Sequence, residues 1–280
     1  MLEFKNVSYV YSKNTPFEKA AVSNVSITIK DNAVTGLIGH TGSGKSTLAQ
    51  MMNALIKPTS GEVLLDGKNI NAKDYNTPSV RFEVGLVFQY PEYQLFEETV
   101  YKDIAYGPKN MGLTDDEIDS RVRSAAKFTG IAEELLDKSP FELSGGQKRR
   151  VAIAGVLAMD PKILVLDEPA AGLDPRGRNE ILSGLVEYRK SRGNSLVIIS
   201  HSMEDIAVYS DEIIAMSGGK VLVSGTPKEV FSKNALLTSS GLDIPQVTEV
   251  LVKLKNASVN IDDDIFTPDE AFRAVRALFD

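Results

Sequence analysis

The eight residues Gly39-His40-Thr41-Gly42-Ser43-Gly44-Lys45-Ser46 limit what this chain can fold into more than any other stretch. They follow an apolar run, Val34-Thr35-Gly36-Leu37-Ile38, and precede a segment of helical character, so a buried strand is expected to turn into a helix here. Glycines at 39, 42 and 44 allow backbone N–H groups to fold around phosphate oxygens, and the helix N-terminus behind them favours negative charge. Lys45 is placed to meet the β and γ phosphates of a nucleotide, and Ser46 to offer its hydroxyl to Mg²⁺. His40, Thr41, Ser43 and Thr47 complete the candidate nucleotide contacts, although the His40 side chain could equally face solvent.

A second element has the matching chemistry. Ile163-Leu164-Val165-Leu166-Asp167-Glu168 is an apolar strand that ends in two carboxylates. Beside a phosphate-binding loop, Asp167 is expected to hold the metal through water, and Glu168 to orient or deprotonate an attacking water. Such a pair occurs in many nucleotide hydrolases, so it does not name the family.

The rest of the chain reads as α/β. Strands are expected at Leu2-Glu3-Phe4, Val25 to Ile29, Gly85 to Phe88 and Leu196 to Ile199, those beyond the loop being separated by helical stretches as in a parallel sheet with covering helices. From about Pro91 to Met159 the texture is helical, an inserted lobe. Thr114-Asp115-Asp116-Glu117 and Ser144-Gly145-Gly146-Gln147 open helices with capping-box grammar, the first burying Ile118, Val122 and Ala125. After Gly225-Thr226-Pro227 the chain changes character, and Thr267-Pro268-Asp269-Glu270 opens a last helix carrying Phe272, Val275 and Phe279 on one side, expected to pack on its own domain. The expected units are therefore 1–225, with a helical lobe at about 91–160, and 226–280.

Charge and composition narrow the function. A net charge of −7 argues against a chain whose surface grips nucleic acid, and the absence of cysteine excludes disulfides and thiolate metal sites. The N-terminus lacks a signal-peptide pattern, and the longest apolar run, Val151 to Met159, is far short of the ~20 residues a membrane span requires. The chain is expected to stay in the cytoplasm and to reach a membrane only through a partner.

Leu143-Ser144-Gly145-Gly146-Gln147, followed by Lys148-Arg149-Arg150-Val151-Ala152-Ile153-Ala154, resembles the signature of ATP-binding cassette (ABC) proteins. The resemblance implies an ABC ATPase core of the P-loop NTPase kind with N-terminal antiparallel strands and a small C-terminal helical region. It also implies head-to-tail pairing, in which Ser144, Gly145, Gly146 and Gln147 of one domain close on ATP held by the other. A bare helix N-terminus with two glycines suits such a contact. By the same resemblance, Gln89 is the Q-loop glutamine that touches Mg²⁺ and the attacking water. Asp174 of Gly172-Leu173-Asp174 belongs to the D-loop, His201 is the switch histidine at the γ-phosphate, and Tyr11 stacks on adenine. Catalysis would then rest on Glu168, His201, Gln89 and Lys45, and metal binding on Ser46, Gln89 and Asp167.

Finer similarity, in Val87 to Phe96 and Pro140 to Ser144, points to the ATPases of energy-coupling-factor transporters, and to the second of their two paralogues. Asn32-Ala33 and Ala170 depart from the common pattern at non-catalytic positions. The resemblance implies a sister ATPase, a transmembrane coupling subunit, separate substrate-binding membrane subunits, ATP with Mg²⁺, and work at the cytoplasmic face of the membrane in uptake of vitamins or transition-metal ions. Glu92, Glu97 and Glu98 are expected to meet arginines of the coupling subunit, and the region from about Thr226 to stabilise the dimer. An ordinary importer or exporter cassette is the runner-up; a cassette acting on DNA or ribosomes would show coiled-coil insertions, paired cassettes or basic tracts, none of which is visible.

Overall fold

The computed structural model describes residues 1–262 and 265–279. Two sheets form its frame. Strands β1 (Leu2–Tyr11), β2 (Lys19–Ile29), β4 (Ser60–Leu65) and β5 (Lys68–Asn69) make an antiparallel sheet in the order β2-β1-β4-β5. The second sheet runs β10-β9-β3-β8-β7-β6 and contains β3 (Val34–Gly39), β6 (Val84–Val87), β7 (Ile163–Asp167), β8 (Ser195–Ile199), β9 (Glu212–Ser217) and β10 (Lys220–Gly225). Its five strands other than β10 are parallel.

Both faces of the parallel sheet are buried, and alternation along each strand divides its residues between two cores. Val165, Val197, Ile199 and Leu37 face the antiparallel sheet, where helix α1 (Lys45–Met52) inserts Leu48, Met51 and Met52. Leu164, Leu166, Leu196, Ile198 and Ile38 face the other way, toward the helices. This two-sided burial explains why the strands read as continuous apolar runs. Because β3 and β7 lie on either side of β8, the turn after Gly39 and the carboxylates at the end of β7 emerge at the same sheet edge.

After α2 (Thr77–Glu83) and β6 comes the helical lobe: α3 (Val100–Asn110), α4 (Asp115–Thr129) and α5 (Gly145–Leu157), joined by short 3₁₀ turns at Pro91–Gln94, Glu133–Leu135 and Pro140–Glu142. Both expected capping boxes form. Thr114 accepts from the N–H of Glu117 while Glu117 accepts from the N–H of Thr114, and Ser144 and Gln147 do the same for α5. Ile118, Val122 and Ala125 are buried as expected.

Helices α6 (Pro175–Arg192) and α7 (Met203–Tyr209) flank β8. The hairpin of β9 and β10, which turns at Gly218-Gly219, was not anticipated from the sequence; its signal is that glycine pair between two short apolar runs. Beyond it lie α8 (Pro227–Phe231), α9 (Asn234–Ser239), α10 (Gln246–Asn256) and α11 (Pro268–Arg276). Val230, Phe231, Leu237 and Phe266 join the main core. Helix α11 does not: it starts at Thr267 as expected but buries none of its residues, and Phe272 and Phe279 are 66% and 85% exposed. The expectation that this stripe packs on its own domain is therefore corrected. Helix α10 is the element α11 packs against most. Residues 263, 264 and 280 of the expected 226–280 unit lie outside the described residues.

Candidate active site

The loop after β3 takes its shape from close approaches. A Cβ on Gly39 would come within 2.7 Å of the Met216 carbonyl, and one on Gly44, whose φ is +103°, within 2.5 Å of the Ala21 carbonyl. Only glycine fits either place. Lys45 starts α1 and is buried; its ammonium lies against the loop, donating to the carbonyls of Gly39 at 2.7 Å and His40 at 3.2 Å. Burial lowers the Lys45 pKa despite the pull of Asp167 and Glu168. The His40 ring is half-buried and pairs with the Thr41 carbonyl at 2.9 Å.

Ser46 donates to Asp167 Oδ2 at 2.7 Å across 121 residues of chain. The Asp167 carboxyl is shifted upward by burial, an effect that the Ser46 hydrogen bond and Lys45 oppose. Glu168 departs further from ordinary behaviour. Burial, reinforced by the neighbouring Asp167 charge, raises its pKa from 4.5 to about 7, and its Oε1 is buried without a hydrogen-bond partner. Its backbone stands at φ +53°, a left-handed conformation that costs a non-glycine residue energy and recurs at functional sites. His201 Nε2 lies 3.8 Å from Glu168 Oε1, and burial, with Lys45 nearby, lowers the His201 pKa below its usual value, so the imidazole is neutral at pH 7.

Five of the residues singled out from sequence thus converge: Lys45, Ser46, Asp167, Glu168 and His201. Tyr11 is next to them. Its hydroxyl is 3.1 Å from Thr47 Oγ1, it is 40% exposed, and Tyr9 packs edge-on against its ring. Gln89 is exposed two residues beyond Val87, which pairs with Leu166, so it lies at the same sheet edge as Asp167. Two expected site elements stand apart. Ser144 to Gln147 open α5 on the lobe, where the Ser144 hydrogen bonds close its own cap, and Asp174 caps α6 through the N–H of Gly177 at 2.7 Å.

Sequence reasoning missed the clamp behind His201. Arg178 of α6 forks onto Asp205 at 2.8 and 2.9 Å and also donates to Ser202, tying the segment after His201 to the helix that follows Asp174. Glu168, Arg178, Ser202 and Asp205 line a cavity of about 140 Å³ between these segments. An arginine four residues past Asp174 and an aspartate four past His201 were the only signals, and neither has meaning before the fold joins them.

One expectation about the acidic segment is corrected. Glu92 is not free to meet arginines of another protein, because its carboxylate is held in a buried bidentate pair by Arg149 of this chain. Glu98 pairs with Lys102 at 2.5 Å on the surface.

The pattern of the ABC transporter family matches residues 22–171, more than half of the chain. The chain belongs to the ABC transporter family. Within that family it groups with the energy-coupling factor ATP-binding proteins. It is 51% identical over 270 residues to the energy-coupling factor transporter ATP-binding protein EcfA2 of Caldanaerobacter subterraneus, spanning 96% of this chain and 94% of that one. It is 52% identical to the protein of the same name from Clostridioides difficile, over 95% of this chain and 93% of the relative. Among solved structures it resembles cbiO1 of Clostridium perfringens, described as part of the ABC transporter complex cbiONQ, with a TM-score of 0.75, 44% identity and coverage of 85% of this chain and 93% of that one. It also resembles the dimeric post-hydrolysis cassette MJ0796 bound to ADP and Pi, with a TM-score of 0.73, 29% identity and coverage of 81% and 99%. The fold is that of an ABC ATPase, and ATP binding and hydrolysis are the activities of this family. Among the described residues no helix is long and apolar enough to cross a membrane.

Proposed function

We propose that this chain is the ATP-hydrolysing subunit of an energy-coupling factor transporter and powers uptake of vitamins or other micronutrients through a membrane coupling subunit. The observation that carries the hydrolytic part is Glu168, a carboxylate with a buried, unbonded oxygen and a pKa of about 7, set beside the phosphate-binding loop. A base poised near working pH takes a proton from water most effectively.

In this reading the loop from Gly39 to Thr47 cradles the phosphates of ATP, Tyr11 stacks on adenine, and Lys45 leaves its carbonyl partners for the β and γ phosphates. Glu168 accepts a proton from the attacking water, while Gln89 orients that water and neutral His201 donates to the γ-phosphate. The donor set suits Mg²⁺. Ser46 and Asp167 offer hard oxygens in contact, and no cluster of three or more His, Cys, Asp or Glu that could hold a metal by itself exists among the described residues. Mg²⁺ characteristically takes one or two protein oxygens and fills its shell with phosphate and water. Ser46 and Asp167, with Gln89, would hold the ion, which would neutralise charge on the phosphates.

Ser144 to Gln147 stand apart from this chain's own loop, which supports pairing head to tail with a second cassette so that each signature completes the other's site. Asp174 lies where such a partner would approach. The membrane side is supported by a groove of about 370 Å³ whose lining includes Tyr93, Leu95, Pro140, Phe141 and Lys148, with Tyr93 85% exposed. It adjoins both the segment after Gln89 and the signature helix, and an apolar helix of a coupling subunit fits it. The protein then works as a peripheral subunit at the cytoplasmic face of the membrane.

The test is affinity purification from native membranes followed by ATPase assay beside Glu168→Gln. Recovery of a second cassette and a membrane subunit, with hydrolysis lost in the variant, is the expected result. A complex without membrane proteins would overturn the transport reading and leave the ATPase standing.

A further inference from the structure

Behind the groove, out of reach of solvent, sits Arg149, 3% exposed and one turn into α5. Its guanidinium serves two separate segments. Nε and Nη2 fork onto the Glu92 carboxylate at 3.1 and 2.9 Å, and Nη1 donates to the carbonyl of Ala171. Its Cζ also stands 5.8 Å from the centre of the Tyr90 ring.

These partners are placed with consequence. Tyr90 and Glu92 follow Gln89 directly, Ala171 lies three residues past Glu168, and Arg149 itself belongs to the helix that Ser144 opens. A single buried cation therefore joins the signature helix to the loops that leave the paired strands β6 and β7, beyond the last residues those strands hydrogen-bond to each other. Glu92 neutralises its charge, and the forked geometry fixes direction as well as distance. Apart from its own short-range turns, Ala171 to Glu168 and Leu173 to Ala170, and the packing of Ala170 and Leu173 on the core, the loop beyond Glu168 is tied to the lobe by the hydrogen bond from Arg149 to the Ala171 carbonyl.

We infer that Arg149 is a positioning residue for ATP hydrolysis, which fixes the Gln89 segment, the signature helix and the loop after Glu168 as one unit. The inference deepens the proposed function and rests on the roles given there to Gln89 and Glu168. Arg149 has its donors on Glu92 and Ala171, and it is not among the residues given phosphate, adenine or metal roles. Its loss should therefore slow turnover and spare ATP binding, because misplacement of reacting groups by about 1 Å costs on the order of 10²-fold in rate.

The full-length protein is assayed for kcat, for the KM of ATP and for its thermal unfolding midpoint, as wild type, R149K, E92Q and the exchange R149E/E92R, with E168Q in parallel. Lysine keeps the charge and can hold one partner, but it cannot fork onto Glu92 and reach Ala171 together. The exchange restores the ion pair across the two segments and removes the donor to Ala171. The expected result is a kcat about 10- to 100-fold lower in R149K and in the exchange, with KM within about twofold of wild type. E92Q, which keeps the donor to Ala171, falls between. Wild-type kcat in R149K would overturn the inference. So would a kcat loss matched by a rise in KM and a lower unfolding midpoint, since that pattern belongs to a residue that only holds the fold. Wild-type hydrolysis in E168Q would instead sink the base assignment, while the division between kcat and KM in R149K still decides Arg149.

Discussion

At the scale of single residues, Glu168 carries two opposed demands. The unbonded, buried carboxylate proposed as the base near neutral pH also weighs against the fold once ionised. The folded chain keeps this proton up to about pH 7, whereas an unfolded chain releases it near 4.5, so stability falls as pH rises through that window and stays lowered above it. Glu168→Gln should therefore stabilise the protein above pH 7, by on the order of 1 to 2 kcal/mol once solvent screening at this partly open site is allowed for. The gain should vanish below pH 4.5, and thermal unfolding at the two pH values reads the difference. The same substitution should reduce kcat by about 10²- to 10⁴-fold, the usual contribution of a general base. In the wild type, kcat/KM should fall tenfold per pH unit on the acid side of a break near pH 7. Tyr11 offers a separate test: Tyr11→Ala should raise the ATP KM by roughly 5- to 100-fold, the worth of one stacked base, while Tyr11→Phe, which loses only the hydroxyl contact with Thr47, should stay close to wild type.

At the scale of elements, two helices with the same local grammar serve different ends. Thr114 and Ser144 each close a capping box, and replacing either with alanine should lower unfolding stability by about 1 kcal/mol in urea titrations. Only Ser144→Ala should also cut hydrolysis, by tenfold or more, if the signature acts on a partner's nucleotide; equal ATPase losses in both variants would put the effect down to the cap. These boxes were legible in the sequence because a cap spans four residues, and the phosphate-binding loop and the buried strands around it were legible because each is likewise a short, contiguous pattern; the β9–β10 hairpin was not. What escaped is non-local. Glu92 finds Arg149 across 57 residues and Arg178 finds Asp205 across 27, and no local pattern in a polar loop says which opposite charge the fold will supply. The raised pKa of Glu168 also depends on burial contributed from other strands, although its place at the end of β7 was plain.

At the scale of the whole molecule, the C-terminal region divides into a part the fold needs and a part it does not. The rings of Phe231 and Phe266 meet at a tilt, 5.7 Å apart, inside the main core, and Val230 and Leu237 are fully buried with them, so cutting the chain at 226 should open that core and lose several kcal/mol. Helix α11 leaves Phe272 exposed, and Phe279, three residues past its end, is exposed too. We propose that pairing of two cassettes covers this face, which its own chain leaves exposed. Phe272→Ala with Phe279→Ala should therefore leave the unfolding free energy of the monomer within about 0.5 kcal/mol of wild type, as surface substitutions do. In sedimentation the same variant should shift the dimer equilibrium toward monomer at a given ATP concentration. If hydrolysis takes place in the closed pair as proposed, its kcat should be recovered by raising protein concentration, whereas a turnover defect that persists at every concentration would place α11 in catalysis and not in pairing.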